Sequence, residues 1–187
     1  MTEEIQSPQN TTEEKEAQEI QEVLQDLITQ LDLDPELVKA FDKALENGTP
    51  MYYVLGIDED EMHKRYILAR QLYESGKLED AKNQFGMLCL LSDNAPANWM
   101  GLGACNMELG NYDDAIAAYT MAVVHSGMED AEPVYRMGIC HLRKGDKKTA
   151  KLAFQKCLSF GNQDDERQKA FFDRSLTILS TLDDEGE

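Results

Sequence analysis

Between Trp99 and Tyr119 the chain reads WMGLGACNMELGNYDDAIAAY. The stretch has the pattern of two short helices around Leu-Gly-Asn, and its first half carries Gly101 and Gly103. A glycine inside a helix costs about 1 kcal/mol relative to alanine. Two glycines in one turn therefore need a reason, and the reason should name what the helix packs against.

The stretch is one copy of a repeat. Glycine-centred breaks occur in ESGKLEDA (74–81), ELGNYDDA (108–115) and RKGDKKTA (143–150). Gly76, Gly110 and Gly145 are 34 and 35 residues apart, and Ala81, Ala115 and Ala150 keep the same steps. So do the aromatics Phe85, Tyr119 and Phe154 and the small residues Ala69, Gly103 and Gly138. A period of about 34 with these landmarks matches the tetratricopeptide repeat, a helix–turn–helix unit that stacks into a solenoid. The expected fold is all-α, with three tandem repeats at 62–95, 96–130 and 131–164 forming a short curved solenoid. In each repeat the glycine ends the first helix in a left-handed turn. Acids such as Asp113 and Asp114 then suit the start of the second helix. Asn106, where tyrosine is usual, and the lack of a proline late in the second helices depart from the pattern.

Around the repeats, residues 13–61 read as N-terminal helices. Ile20, Val23, Leu24, Leu27, Ile28 and Leu31 form one apolar stripe, a candidate dimerisation surface through Ile20, Val23, Leu27 and Leu31. Asp34-Pro35 starts PELVKAFDKALENG, which stops at Asn47-Gly48. Residues 165–187 supply a C-terminal capping helix and an acidic tail, and residues 1–12 a disordered acidic tail.

Charge and composition narrow the function. The 187 residues hold 36 acidic and 18 basic side chains, a formal net charge of -18. Phosphate backbones and anionic membranes are bound by clustered Lys and Arg, so nucleic acid is not an expected partner. No apolar run reaches the roughly 20 residues of a membrane helix, so membrane insertion is not expected, and the acidic N-terminus has no signal-peptide pattern. The expectation is a soluble cytosolic protein. Cys89, Cys105, Cys140 and Cys157 show no metal or redox spacing, and only His63, His125 and His141 accompany them. No P-loop, GxSxG, HExxH or GxGxxG motif occurs. No catalytic residue, cofactor or metal is assigned.

In stacked repeats the first helices line a groove for extended peptides. The groove-facing positions are His63, Tyr66, Arg70 and Tyr73, then Ala97, Met100, Ala104 and Met107, then Glu132, Tyr135, Ile139 and Leu142. A carboxylate clamp of the Lys/Asn/Asn/Lys/Arg kind is absent. Its positions hold Tyr66, Arg70, Gly101, Glu132 and Arg136, of which the last alone matches. Aromatic rings and methionines suit an apolar peptide instead. Gly103, periodic with Ala69 and Gly138, marks the contact between the two helices of a repeat. Gly101, whose equivalents are Ile67 and Arg136, is a candidate for close approach of a bound peptide's backbone. These residues alone leave two readings, a groove-type peptide binder or a scaffold joining folded partners.

The run LARQLYESGKLEDAKNQFGMLCLLSDNAPANWMGLGACNMELGNYDDAIAAY, preceded by NGTPMYYVLGIDEDEM, resembles the class II chaperones of bacterial type III secretion. The resemblance spans about residues 40–165. It implies a cytoplasmic chaperone that keeps hydrophobic translocator proteins soluble and secretion-competent. The client would enter the groove as an extended segment near its N-terminus, commonly of a Pro-x-Leu-x-x-Pro type. Homodimerisation through the N-terminal helices is implied as well. Tyr66, Tyr73 and the Met100/Ala104/Met107 surface would form the pockets, and Arg70 stands where the family leads one to expect an apolar or aromatic residue.

Overall fold

A computed structural model describes residues 34–92 and 94–184. The chain divides into two compact units, Met1–Thr49 and Pro50–Glu187. In the first, α1 spans Pro35–Asn47. Asp34 Oδ1 accepts from the Glu36 amide at 2.9 Å, and the helix closes at Asn47-Gly48, where Gly48 has φ 63°. Both ends lie where Asp-Pro and Asn-Gly place them. The stripe Ile20, Val23, Leu27 and Leu31 and the tail 1–12 lie outside the described residues.

The second unit begins with a single turn, α2 (Met51–Val54), followed by three helical pairs and a last helix. The pairs are α3 (Glu59–Glu74) with α4 (Leu78–Leu91), α5 (Pro96–Glu108) with α6 (Tyr112–His125), and α7 (Glu132–Arg143) with α8 (Lys147–Cys157). The last is α9 (Glu166–Asp184). Each helix packs mainly on its neighbours in sequence, the one-dimensional order of a repeat stack. Gly76, Gly110 and Gly145 have φ between 77° and 81°, the left-handed geometry that the breaks require. All three pairs match the 34-residue period.

One contact type holds the stack together, an aromatic ring seated on a helical glycine. A Cβ at Gly103 would lie 2.5 Å from the Tyr119 ring, and one at Gly138 would lie 2.7 Å from the Phe154 ring. Both contacts join the two helices of one repeat, as the period predicts for Gly103. Gly101 makes the same contact across a repeat boundary, because the Phe85 ring of the preceding repeat occupies the place of its missing Cβ. This corrects the sequence reading of Gly101. Its absent side chain admits Phe85, a residue of the chain itself, and the position is architectural like Gly103. Burying an aromatic side chain contributes about 1.5–3 kcal/mol, which outweighs the helical cost of the glycine.

The core divides into three clusters, each centred on one repeat and closed by the helix that follows. Phe85, Leu88, Ala69 and Ala81 pack with Cys105 of α5, and Tyr119 and Ala115 with Cys140 of α7. Val134 and Cys157 pack with Phe172 of α9. Helix α9 continues the register one step further. Phe172 is in phase with Leu102 and Met137, and buried Ser175 with Cys105 and Cys140. At the small-residue position of Gly103 and Gly138, α9 has exposed Asp173. A side chain is tolerated there because no second helix follows among the described residues. Gln168 fastens α9 to the loop before α7, accepting from the Ala131 amide at 3.1 Å and donating to the Glu129 carbonyl at 3.0 Å.

Two measurements test this packing. Gly101→Ala and Gly103→Ala should each lower the free energy of urea unfolding by about 1–2 kcal/mol, the overpacking outweighing the gain in helix propensity. Gly86→Ala, with open space around its Cβ, should raise it by up to about 1 kcal/mol. The thiols give the second. Burial pushes Cys89 up to about 12 and Cys105 and Cys140 up to about 11, from an ordinary value of 9.0. Groups raised on folding contribute stability that is complete below pH 9 and is lost as pH rises through 11–12. The melting temperature should fall across that window, and Ellman's reagent at pH 8 should label the thiols only after urea is added.

Candidate functional site: the groove of the first helices

Where α3, α5 and α7 lie side by side, the surface encloses a cavity of about 610 Å³. Helix α3 contributes Tyr66, Arg70, Tyr73 and Glu74, and α5 contributes Pro96, Ala97, Met100, Gly101 and Ala104. Asp130, Glu132 and Arg136 close the far wall, with Phe85 and Tyr119 beneath. The spacings follow from helix geometry. Tyr66, Arg70 and Tyr73 are at i, i+4 and i+7 on α3, and Ala97, Met100, Gly101 and Ala104 share one face of α5 at i, i+3, i+4 and i+7.

Eight of the predicted groove residues therefore meet in one cavity: Tyr66, Arg70, Tyr73, Ala97, Met100, Gly101, Ala104 and Glu132. Five do not line it, and the first of them, His63, lines a separate smaller cavity with Tyr52 and Met62. Met107 is only 4% exposed, with its sulfur 4.0 Å from the Tyr119 hydroxyl, so it belongs to the core of the second repeat. Tyr135, in phase with Tyr66, is covered by the cap, its ring 5.7 Å from Phe154 and 5.4 Å from Phe171. Ile139 packs against the cluster around Tyr119, and Leu142 lies half-buried further along α7. The third repeat thus supplies a charged wall where the sequence suggested an apolar one.

The residues that periodicity missed have a common origin. Phe85 and Tyr119 read as repeat landmarks on second helices, yet Phe85 reaches the cavity floor because its ring fills the side-chain space that Gly101 leaves free. A glycine placed opposite the preceding repeat's aromatic landmark was the available signal. Glu74 follows Arg70 by four residues and pairs with it at 3.1 Å. Asp130 accepts from the Glu132 amide at 2.9 Å at the start of α7.

Both arginines of the cavity are neutralised from within. Arg136 Nε and Nη2 donate to Glu132 Oε1 at 3.1 and 2.8 Å. Burial alone would lower the Arg136 pKa, but the hydrogen bond and charge of Glu132 outweigh it and hold the guanidinium protonated. The single residue matching a carboxylate clamp is therefore already occupied by a carboxylate. Burial, reinforced by Glu108, raises Tyr73, and burial raises Tyr119 despite the opposing Arg136. Tyr73, partly buried at the cavity wall, stays neutral and can donate to a peptide carbonyl, whereas Tyr119 is fully buried with its hydroxyl against the Met107 sulfur. The cavity thus offers aromatic edges, a flexible thioether and self-paired charges, a surface for an apolar extended chain. Among the described residues, no group of three or more His, Cys, Asp and Glu is placed to hold a metal.

Comparison with known proteins adds to this geometry. Residues 134–159, within the third repeat, match the tetratricopeptide repeat family model. Low calcium response locus protein H of Yersinia pestis is 34% identical over 107 residues, which cover 57% of this chain and 63% of that protein. The chain thus spans a little under two thirds of that relative's length. Chaperone protein SicA of Salmonella dublin is 29% identical over 141 residues, covering 74% of this chain and 81% of SicA. The Yersinia enterocolitica type III secretion chaperone SycD, solved in complex with a peptide of the translocator YopD, superposes with a TM-score of 0.65 at 28% identity. That match covers 70% of this chain and 98% of SycD. The chain is thus similar in sequence and in fold to type III secretion chaperones. Its 610 Å³ cavity is formed by repeats of the kind that the family model describes.

Proposed function

We propose that this chain is a cytoplasmic type III secretion chaperone that holds a hydrophobic translocator by an extended segment near the client's N-terminus. The observation that carries this reading is the cavity formed by Tyr66, Tyr73, Met100 and Ala104 over the Phe85 ring. A homologue's structure with a translocator peptide supports it. Tyr66 and Tyr73 give rigid amphipathic walls, and Met100 adapts to side chains of irregular shape. Gly101 seats the Phe85 ring beneath the pocket. Arg70, held by Glu74, brings a charge to one edge of an otherwise apolar pocket. Masking of apolar client surface requires neither turnover nor a cofactor, so the chain acts stoichiometrically and not as an enzyme.

Co-expression with a hydrophobic, membrane-active protein encoded beside it should move that client into the soluble fraction. Equal solubility without this chain would favour a scaffold that joins folded partners. Tyr66→Glu with Met100→Glu should weaken client capture by roughly a hundredfold while the helical circular dichroism is unchanged. Unaltered affinity would move the site elsewhere.

The same proposal includes pairing of two copies through Ile20, Val23, Leu27 and Leu31. Deleting residues 1–34 should then halve the mass seen by light scattering; an unchanged mass removes that stripe from the interface.

A further inference from the structure

The third repeat carries a charge reversal that neither the stack nor the groove requires. Residues 143–156 hold six of the chain's 18 basic residues and one of its 36 acidic ones. The second helices of the first two repeats begin with Glu79-Asp80 and Asp113-Asp114, which complement the helix dipole. At the position of Glu79 and Asp113, α8 has Lys148, and its first turn holds no acid. Asp146 caps this helix by accepting from the Thr149 amide at 3.0 Å; a further cation at the helix start is electrostatically unfavourable, so the dipole does not account for Lys148.

The solvent face of α8 is built from these cations. Lys148, Leu152 and Lys156 follow one another at i, i+4 and i+8, all exposed, with Leu152 at 54%. Neither Lys148 nor Lys156 makes an ion pair among the described residues, in contrast to Lys144, which pairs with Asp113. The corresponding outer positions on α4 and α6 are Glu79, Asn83 and Met87, and Asp113, Ala117 and Met121. The basic stripe is thus confined to the third repeat, on a helix that does not line the peptide cavity.

We propose that the outer face of α8 is a second docking surface, which receives an acidic segment of a partner protein with an apolar residue seated on Leu152. Charge complementarity selects this occupant. A membrane or a nucleic acid presents charge over an area far wider than the stripe, and would meet the repulsion of a chain with net charge -18. A short acidic segment reaches the lysines within a Debye length, about 8 Å at physiological salt. This surface is independent of the groove, so both could be occupied at once.

The test uses the full chain and a fluorescein-labelled peptide, Glu-Asp-Glu-Leu-Glu-Asp-Glu, with its Gln/Asn counterpart as the uncharged control. Fluorescence anisotropy in 50 mM salt should show binding of the acidic peptide alone, weakening as salt is raised. Lys148→Glu with Lys156→Glu should weaken it by about tenfold or more. Because Lys148→Glu restores the acid of the other repeats, the melting temperature should be retained or rise, and capture of a groove-bound client should be unchanged. Equal binding of the two peptides, or binding indifferent to the double substitution, would overturn the proposal. So would lysine-dependent binding to phosphatidylserine vesicles in the absence of any binding to the acidic peptide.

Discussion

The seating of an aromatic ring on a helical glycine is the contact on which the rest of this structure depends. Phe85 on Gly101, Tyr119 on Gly103 and Phe154 on Gly138 bring helices together more closely than any side chain would permit. Two of these contacts close a repeat, and the first joins one repeat to the next. Within a stack whose elements touch mainly their sequence neighbours, each such interface must carry its own stability. The three core clusters, each completed by a residue from the following helix, are the energetic form of that rule.

The same contact shapes the groove. Gly101 leaves the Phe85 ring at the cavity floor, with Tyr66 packed edge-on at 5.9 Å. One repeat later, Arg136 stands where Gly101 stood and pairs with Glu132, while Tyr73 and Tyr119 lie within range of its charge. At the next step Phe171 takes that place and covers Tyr135. The series glycine, arginine, phenylalanine thus grades the groove from open and apolar, through charged, to closed. This gradation confines the cavity to the first two repeats and the near edge of the third.

Charge follows a different logic from shape. The groove arginines are paired within their own helices, so they contribute a polar edge without a net attraction for carboxylates. Lys148 and Lys156 of α8 are exposed, Lys148 in the first turn, where a cation opposes the helix dipole, and Lys156 in the last. Acid dominates the chain as a whole, which makes a local basic stripe on one second helix a property of that repeat and not of the composition.

Repeat number, helix boundaries and turn positions were legible in the residues themselves, because a 34-residue spacing of glycine, alanine and aromatic landmarks leaves one helical register. Groove lining was legible for Tyr66, Arg70, Tyr73, Met100 and Ala104, which follow from helical phase. Periodicity could not place Met107, Tyr135, Ile139 and Leu142. Their helical phase is right, but Tyr119 of the partner helix buries Met107 and Phe171 of α9 covers Tyr135, and both depend on how separate helices pack. Gly101 was visible as an anomaly and its cause was not, since the ring that fills its side-chain space comes from the preceding repeat. Local sequence therefore determined which residues form helices and which face each helix turns inward. Only the tertiary structure decided which of those faces another helix would cover, because burial is set by the neighbours that a stack brings together.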